Sequence, residues 1–96
     1  MNAKNDKFIW DTDKYLKNHQ KHGITFDEAT TVFDDDMAVY LMDDAHSDDE
    51  ERFIVIGLSS VANMLMVCHC YRNGDSIIRI ISARKADKEE TEYYRR

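Results

Sequence analysis

Asn73-Gly74 lies between two largely apolar segments, 64–72 and 75–82, and no other feature constrains the fold of this chain as much. Both central residues of a type I′ turn need positive φ, and Asn-Gly is a pair that adopts it readily. Strands joined by so short a turn pair antiparallel. A two-residue turn sets Arg72 opposite Asp75, His69 opposite Ile78 and Cys68 opposite Arg79. Paired residues share a face. One face then carries Leu65, Val67, His69, Tyr71, Ile78, Ile80 and Ser82. The other carries Met64, Met66, Cys68, Cys70, Ile77, Arg79 and Ile81. Both are largely apolar, so helices are expected over most of both.

The flanking segments supply those helices. Asp11 is a good N-cap, with Trp10 and Tyr15 at the staple positions around it. Gly23 is a C-terminal stop, so a helix is expected over 12–22. Its apolar stripe is thin: Tyr15, Leu16 and His19. Thr25 and Glu28 form a T-x-x-E capping box, and Phe26, Ala29, Val32 and Phe33 recur at helical spacing over 26–34. Asp34-Asp35-Asp36 opposes the helix dipole and ends that helix. Strands are expected at 37–42, 52–59, 64–72 and 75–82, with a polar connection at 43–51 and a turn at 60–63. A last helix is expected over 83–94, with Ser82 as its cap. The expected fold is one α+β domain over 1–96: a four-stranded antiparallel sheet with two N-terminal helices and a C-terminal helix, in the order α-α-β-β-β-β-α.

The net charge of −6 argues against a nucleic-acid binder until its distribution is examined. Residues 27–51 hold eleven acids and neither Lys nor Arg, while the segments on either side are net positive. A basic site is therefore compatible with an acidic chain. No apolar run is long enough to span a membrane, and the N-terminus has no signal-peptide core, which points to the cytoplasm. Cys68 and Cys70 alternate on one strand face, a geometry poor for a disulfide, and one pair alone is a poor zinc signature. Asp43, Asp44, Asp48 and Asp49 lack EF-hand spacing. No metal and no cofactor is expected.

Chemistry on a phosphate ester without a metal, one use of a basic site, needs a base for the nucleophile, a cation for the phosphate and an acid for the leaving oxygen. Arg79 sits in an apolar strand and needs a carboxylate, a phosphate or water. Arg84, placed in the first turn of the last helix, stands with Ser82 and free backbone N–H groups where a phosphate is held well. A solvated surface arginine is the plainer reading of Arg84. His69 is either a core histidine or part of a polar cluster with Tyr71 and, in one register, Arg52. His46 in the acidic loop is an acid candidate or an exposed loop residue. Lys21 and His22 have a structural reason to end a helix, because the dipole stabilises cations there. A non-enzymatic module that docks a helical partner through Tyr93 and Tyr94 is the alternative.

Several segments in order resemble the BrnT toxin family. They are F-I-W-D-T-D-K at 8–14, K-H-G-I-T-F-D-E-A at 21–29 and V-F-D-D at 32–35. H-S-D-D-E-E-R-F-I-V-I-G at 46–57 and I-R-I-I-S-A-R-K-A at 78–86 complete the series. Asn63 stands where the family pattern leads one to expect glycine. The resemblance implies a RelE-like fold and a ribonuclease toxin that cleaves RNA and arrests translation. It also implies a cognate BrnA-like antitoxin with a ribbon-helix-helix domain, a hetero-oligomer, and operator DNA contacted only through that antitoxin. With it, Arg79, Arg84, His69 and Arg52 become the catalytic candidates, and Lys21, Ser82 and Lys85 the RNA-binding ones. The basic chain ends and the Tyr93-Tyr94 helix are the expected docking surface for the antitoxin.

Overall fold

The computed structural model describes residues 7–44 and 50–96. The elements run β1 (Phe8–Ile9), α1 (Thr12–His22), α2 (Phe26–Thr31), a 3₁₀ turn (Val32–Asp34), β2 (Val39–Met42), β3 (Phe53–Leu58), β4 (Met64–Arg72), β5 (Ile77–Lys85) and α3 (Lys88–Arg95). His46, Asp48 and Asp49 of the acidic loop lie outside the described residues.

The sheet has five strands in the order β1-β5-β4-β3-β2, not four. β2 to β5 form the expected antiparallel meander. β1 adds a parallel edge on β5, with Phe8 beside Ile78 and Ile9 beside Arg79, so the sheet is mixed. Two residues carry no period, which is why the strand could not be read from the sequence. Phe8 nevertheless anchors the core, being 5% exposed.

The Asn73-Gly74 hairpin forms with both residues at positive φ, 54° and 63°. Its loop is longer than two residues, and Arg72 pairs with Ile77 instead of Asp75. The Ser76 hydroxyl donates to the Asn73 carbonyl at 2.8 Å and closes a four-residue loop over 73–76. The register moves by two residues. Because side chains alternate with period two, the first part of β5 keeps its expected faces. Tyr71 pairs with Ile78, His69 with Ile80 and Cys70 with Arg79.

A β-bulge then changes the outcome. Cys68 pairs with Ser82, so Ile81 is an extra residue opposite the Cys68–His69 step. A bulge reverses the inside–outside alternation of everything beyond it. Ser82, expected on the His69 face, joins Cys68 on the opposite one, and Ala83 turns into the core beside Val67 with no exposure. β5 also runs on to Lys85, through the residues expected to start the last helix. That helix begins at Lys88, capped by Asp87 and not by Ser82. Asp87 accepts from the Glu90 amide and the Glu90 side chain from the Asp87 amide, a complete capping box.

Helices α1 and α2 cover the face that carries Phe8, Val55, Leu65, Val67, Ile80 and Ala83. Asp11 caps α1 and Gly23 ends it with φ 74°, as expected. Leu16 points to solvent, and Asn18 is the buried residue of α1. Its amide donates to the Ala83 carbonyl at 2.8 Å and accepts from the Ala83 amide at 3.2 Å. This clamp satisfies a peptide just past the bulge that would otherwise be buried without partners. Trp10 and Tyr15 both pack on Phe26, with ring centroids at 5.5 and 4.9 Å. Gly57 lets the 3₁₀ turn approach β3, because a Cβ there would sit 2.9 Å from Val32 Cγ1.

Thr25 caps α2, but Glu28 does not reach back to complete the box. It accepts from the Ser59 hydroxyl and the Asn63 side-chain amide, both at 2.7 Å, and ties the β3–β4 turn to α2. Positive φ in that turn falls on Ala62, at 67°. Asn63 therefore serves this turn through its side chain and not through backbone freedom. Asp35 accepts from the Leu58 and Met37 amides and from the Tyr94 hydroxyl, which pins α3 to the body of the domain. The first of these bonds chiefly holds its carboxyl below the ordinary value.

Replacing Asn18 with Ala removes both bonds to the buried Ala83 peptide. We expect a loss of about 2–4 kcal/mol in urea unfolding, since two buried backbone groups become unsatisfied. A loss below about 0.5 kcal/mol would show that the clamp is not structural.

Candidate active site

The bulge gathers arginines. Arg79 pairs with Cys70, Ser82 with Cys68 and Arg84 with Met66, so all three β5 residues project from one face, away from α1 and α2. Without the extra residue, Ser82 and Arg84 would point into the core. Arg79 and Arg84 pair with positions four residues apart on β4, about 13 Å along the strand. Arg72, two residues beyond Cys70, shares this face, and its guanidinium lies 3.1 Å from Cys70 Sγ. Arg52 belongs here too. Phe53 pairs with His69, so Arg52 takes the opposite face, where its charge acts on the Cys68 thiol. The expected pairing of Arg52 with His69 and Tyr71 is corrected by that register. Four half-buried arginines thus stand over a floor of Cys68, Cys70 and Met66.

Arg84 and Arg72 are held by carboxylates. Arg84 donates two parallel bonds to Glu90, at 2.8 and 2.7 Å. Arg72 donates to both oxygens of Glu50, at 2.7 and 3.3 Å. Each pair is a guanidinium fork on a planar oxyanion, the geometry with which arginine also takes phosphate. The bond to Arg72 chiefly lowers the Glu50 carboxyl below its ordinary value. Arg79 makes no ion pair among the described residues, although its charge reaches Asp11.

Both cysteines are free thiols. Burial, with Asp43 close by, pushes Cys68 up to about 11. Burial also raises Cys70. Cys68 donates to Asp43 at 3.8 Å and Cys70 to Glu50 at 3.5 Å. Thiols so disfavoured as thiolates are poor nucleophiles and poor metal ligands. No group of three or more ligating side chains occurs among the described residues.

His69 is on the other face, with no exposure. Phe33, Tyr40, Phe53 and Tyr71 surround it, with ring centroids 4.9–6.2 Å away. Its Nδ1 lies 3.3 Å from the Val67 carbonyl, and its Nε2 has no hydrogen-bond partner among the described residues. Burial drives its pKa down to about 4, so the ring is neutral at pH 7. The structure thus separates His69 from the arginines by the thickness of the sheet.

Lys21 and Lys85 are exposed at the ends of α1 and β5. α1 runs in the same sense as β5, since Asp11 acts on Arg79 and Asn18 bonds Ala83. Lys21 lies about 4.5 Å further along the helix axis and Lys85 about 6.6 Å further along the strand. Both are thus carried towards one end of the domain. The sequence reading missed Arg72 and Glu90. The alternation Cys68, Cys70, Arg72 was available as a signal for the first. Glu90 had none until β5 was known to continue past Ser82.

An antiparallel core with two helices on one face and arginines on the other defines a small α+β protein with an arginine-lined sheet face. A family model described as the ribonuclease toxin BrnT of type II toxin-antitoxin systems matches residues 10–90, and the chain belongs to that family. The fold is similar to the 1.1 Å crystal structure of the Brucella abortus ribonuclease toxin BrnT. The TM-score is 0.64 and the identity 24%, covering 88% of this chain and 100% of that one. No curated protein matches significantly. Membership in a type II family implies an antitoxin partner. No helix among the described residues is long and apolar enough to cross a membrane.

The buried neutral His69 makes stability depend on pH. Its folded pKa of about 4 lies below the ordinary 6.5, so the unfolded chain binds the proton first. The contribution is complete above pH 6.5 and is lost as pH falls towards 4, by about 3 kcal/mol in all. Urea unfolding from pH 7 to 4 should show this slope, and His69→Leu should flatten it. An equal slope in the variant would assign the effect elsewhere.

Proposed function

We propose that this toxin cleaves RNA without a metal, on the sheet face that carries Arg79, Ser82 and Arg84. The observation that carries the reading is the bulge, which turns Ser82 and Arg84 out beside Arg79. Arg79 and Arg84 bind the scissile phosphate and stabilise the charge that builds on it. Glu90 occupies the Arg84 fork in the free protein and stands in for a phosphate oxyanion. When phosphate displaces it, the released carboxylate becomes a proton acceptor beside the reacting group. Arg52 extends the cationic surface, and Lys21 and Lys85 contact the RNA backbone beyond the cleavage site. His69 contributes by holding the sheet and not by proton transfer. In this reading the β2–β5 meander with its flanking helices serves as a RelE-type ribonuclease scaffold. The protein works in the cytoplasm, a BrnA-like ribbon-helix-helix antitoxin neutralises it, and operator DNA is contacted only by that antitoxin.

Arg79→Ala and Arg84→Ala should each lower RNA cleavage by about 100-fold or more, the scale of losing one oxyanion-stabilising group. Both variants should retain cooperative melting. Lys at either position should rescue only in part, because it cannot make two parallel bonds to phosphate. Cleavage should persist in excess EDTA. Intact cleavage in both Ala variants would move the site off this face, and loss of activity in EDTA would refute metal independence.

A further inference from the structure

Among the described residues, the face opposite the arginines is incompletely covered. Around buried His69, the rings of Phe53 and Tyr71 are half-buried and Tyr40 is 48% exposed. Met42, paired with Phe53 on the edge strand β2, is 47% exposed. Phe53 and Tyr71 meet edge to face at 5.5 Å and wall a cleft of about 620 Å³. Glu50, Glu51, Gly74 and Asp75 also line it. Arg72 occupies Glu50, whereas Glu51 and Asp75 are exposed. The charge of Asp75 raises the Tyr71 hydroxyl, after burial, and Asp34 and Asp35 act on Tyr40 in the same way.

We propose that this aromatic cleft and the adjoining β2 edge are the docking surface for the antitoxin, which engages it with apolar residues flanked by Lys or Arg. The inference rests on the toxin-antitoxin reading. An acidic rim over aromatic rings selects a cationic side chain, which gains from both the carboxylates and the ring faces. The same rim repels RNA. It also repels a second copy of this chain, which would bring the same carboxylates against each other. On α3, Tyr94 is bonded to Asp35 and Glu90 to Arg84, which leaves Tyr93, 42% exposed, as its large exposed hydrophobic side chain. A partner seated here leaves the arginine face uncontacted at its anchor, so binding and inhibition are separable: the anchor holds the toxin, and another part of the antitoxin must reach the RNA site.

The test is titration calorimetry of the purified, full-length cognate antitoxin against full-length toxin variants. Glu51→Lys combined with Asp75→Lys should weaken binding at least tenfold and reduce its salt dependence. Tyr40→Ala should weaken it by a similar factor, while Arg79→Ala should weaken it by less than either. RNA cleavage by the double-Lys variant should equal that of the wild type. Glu51 and Asp75 are solvated, so this variant decides the question even if Tyr40→Ala fails to fold. Wild-type affinity in the double-Lys variant overturns the surface and leaves the toxin-antitoxin reading standing. Loss of RNA cleavage without loss of antitoxin affinity assigns the face to RNA and overturns it too. So does a wild-type toxin that dimerises and is made monomeric by Tyr40→Ala. An antitoxin that does not bind wild-type toxin at all refutes the toxin-antitoxin reading itself.

Discussion

One extra residue in β5 keeps the two faces of this sheet apart in composition. Opposite the Cys68–His69 step, Ile81 has no partner, and the alternation of side chains reverses beyond it. Ala83 can then lie flat against Val67 under α1, where Arg84 would have met a closed core. Asn18 saturates the Ala83 peptide from the helix side. Arg84 is delivered to solvent on the face of Arg79. Packing and chemistry thus follow from the same irregularity: the small residue goes in because the cation goes out.

Electrostatics reinforces the separation. The chain is acidic overall, yet four arginines share one sheet face. Their mutual repulsion is relieved by Glu50 and Glu90, each holding one guanidinium through both oxygens. Such partly exposed pairs add little stability on their own. Their consequence is geometric, because they orient the forks before any ligand arrives. On the other face the excess carboxylates surround aromatic rings, and a field of one sign there favours cationic partners.

His69 shows how a chemically capable residue becomes structural. Its aromatic surroundings exclude the water that would stabilise an imidazolium, so the ring packs as a neutral plate among Phe33, Tyr40, Phe53 and Tyr71. The thiols of Cys68 and Cys70 behave similarly, buried and donating to carboxylates. Three polar side chains of the sheet interior are thereby held in their neutral forms. What remains on the open face is cationic, suited to binding and stabilising an anion.

Local signals in the sequence determined α1 from Asp11 to Gly23, the start of α2 at Thr25, and the meander from β2 to β5. These are capping, periodicity and turn effects that act within a few residues, so a single chain segment carries them. The sequence also isolated Arg79, because a charge inside an apolar strand is costly wherever it lies. Tertiary structure alone decided the parallel edge strand at Phe8–Ile9, whose pairing partner is about seventy residues away. It decided the continuation of β5 through Lys85, where helical spacing of Ala83 and Ala86 competed with strand pairing to Leu65 and Met66. Above all it decided the faces of Ser82 and Arg84. A bulge leaves the order of residues unchanged and is chosen by what packs on each side of the sheet, so a strict alternation read from the chain placed Ser82 on the wrong side, and helical spacing placed Arg84 in a helix instead of the strand.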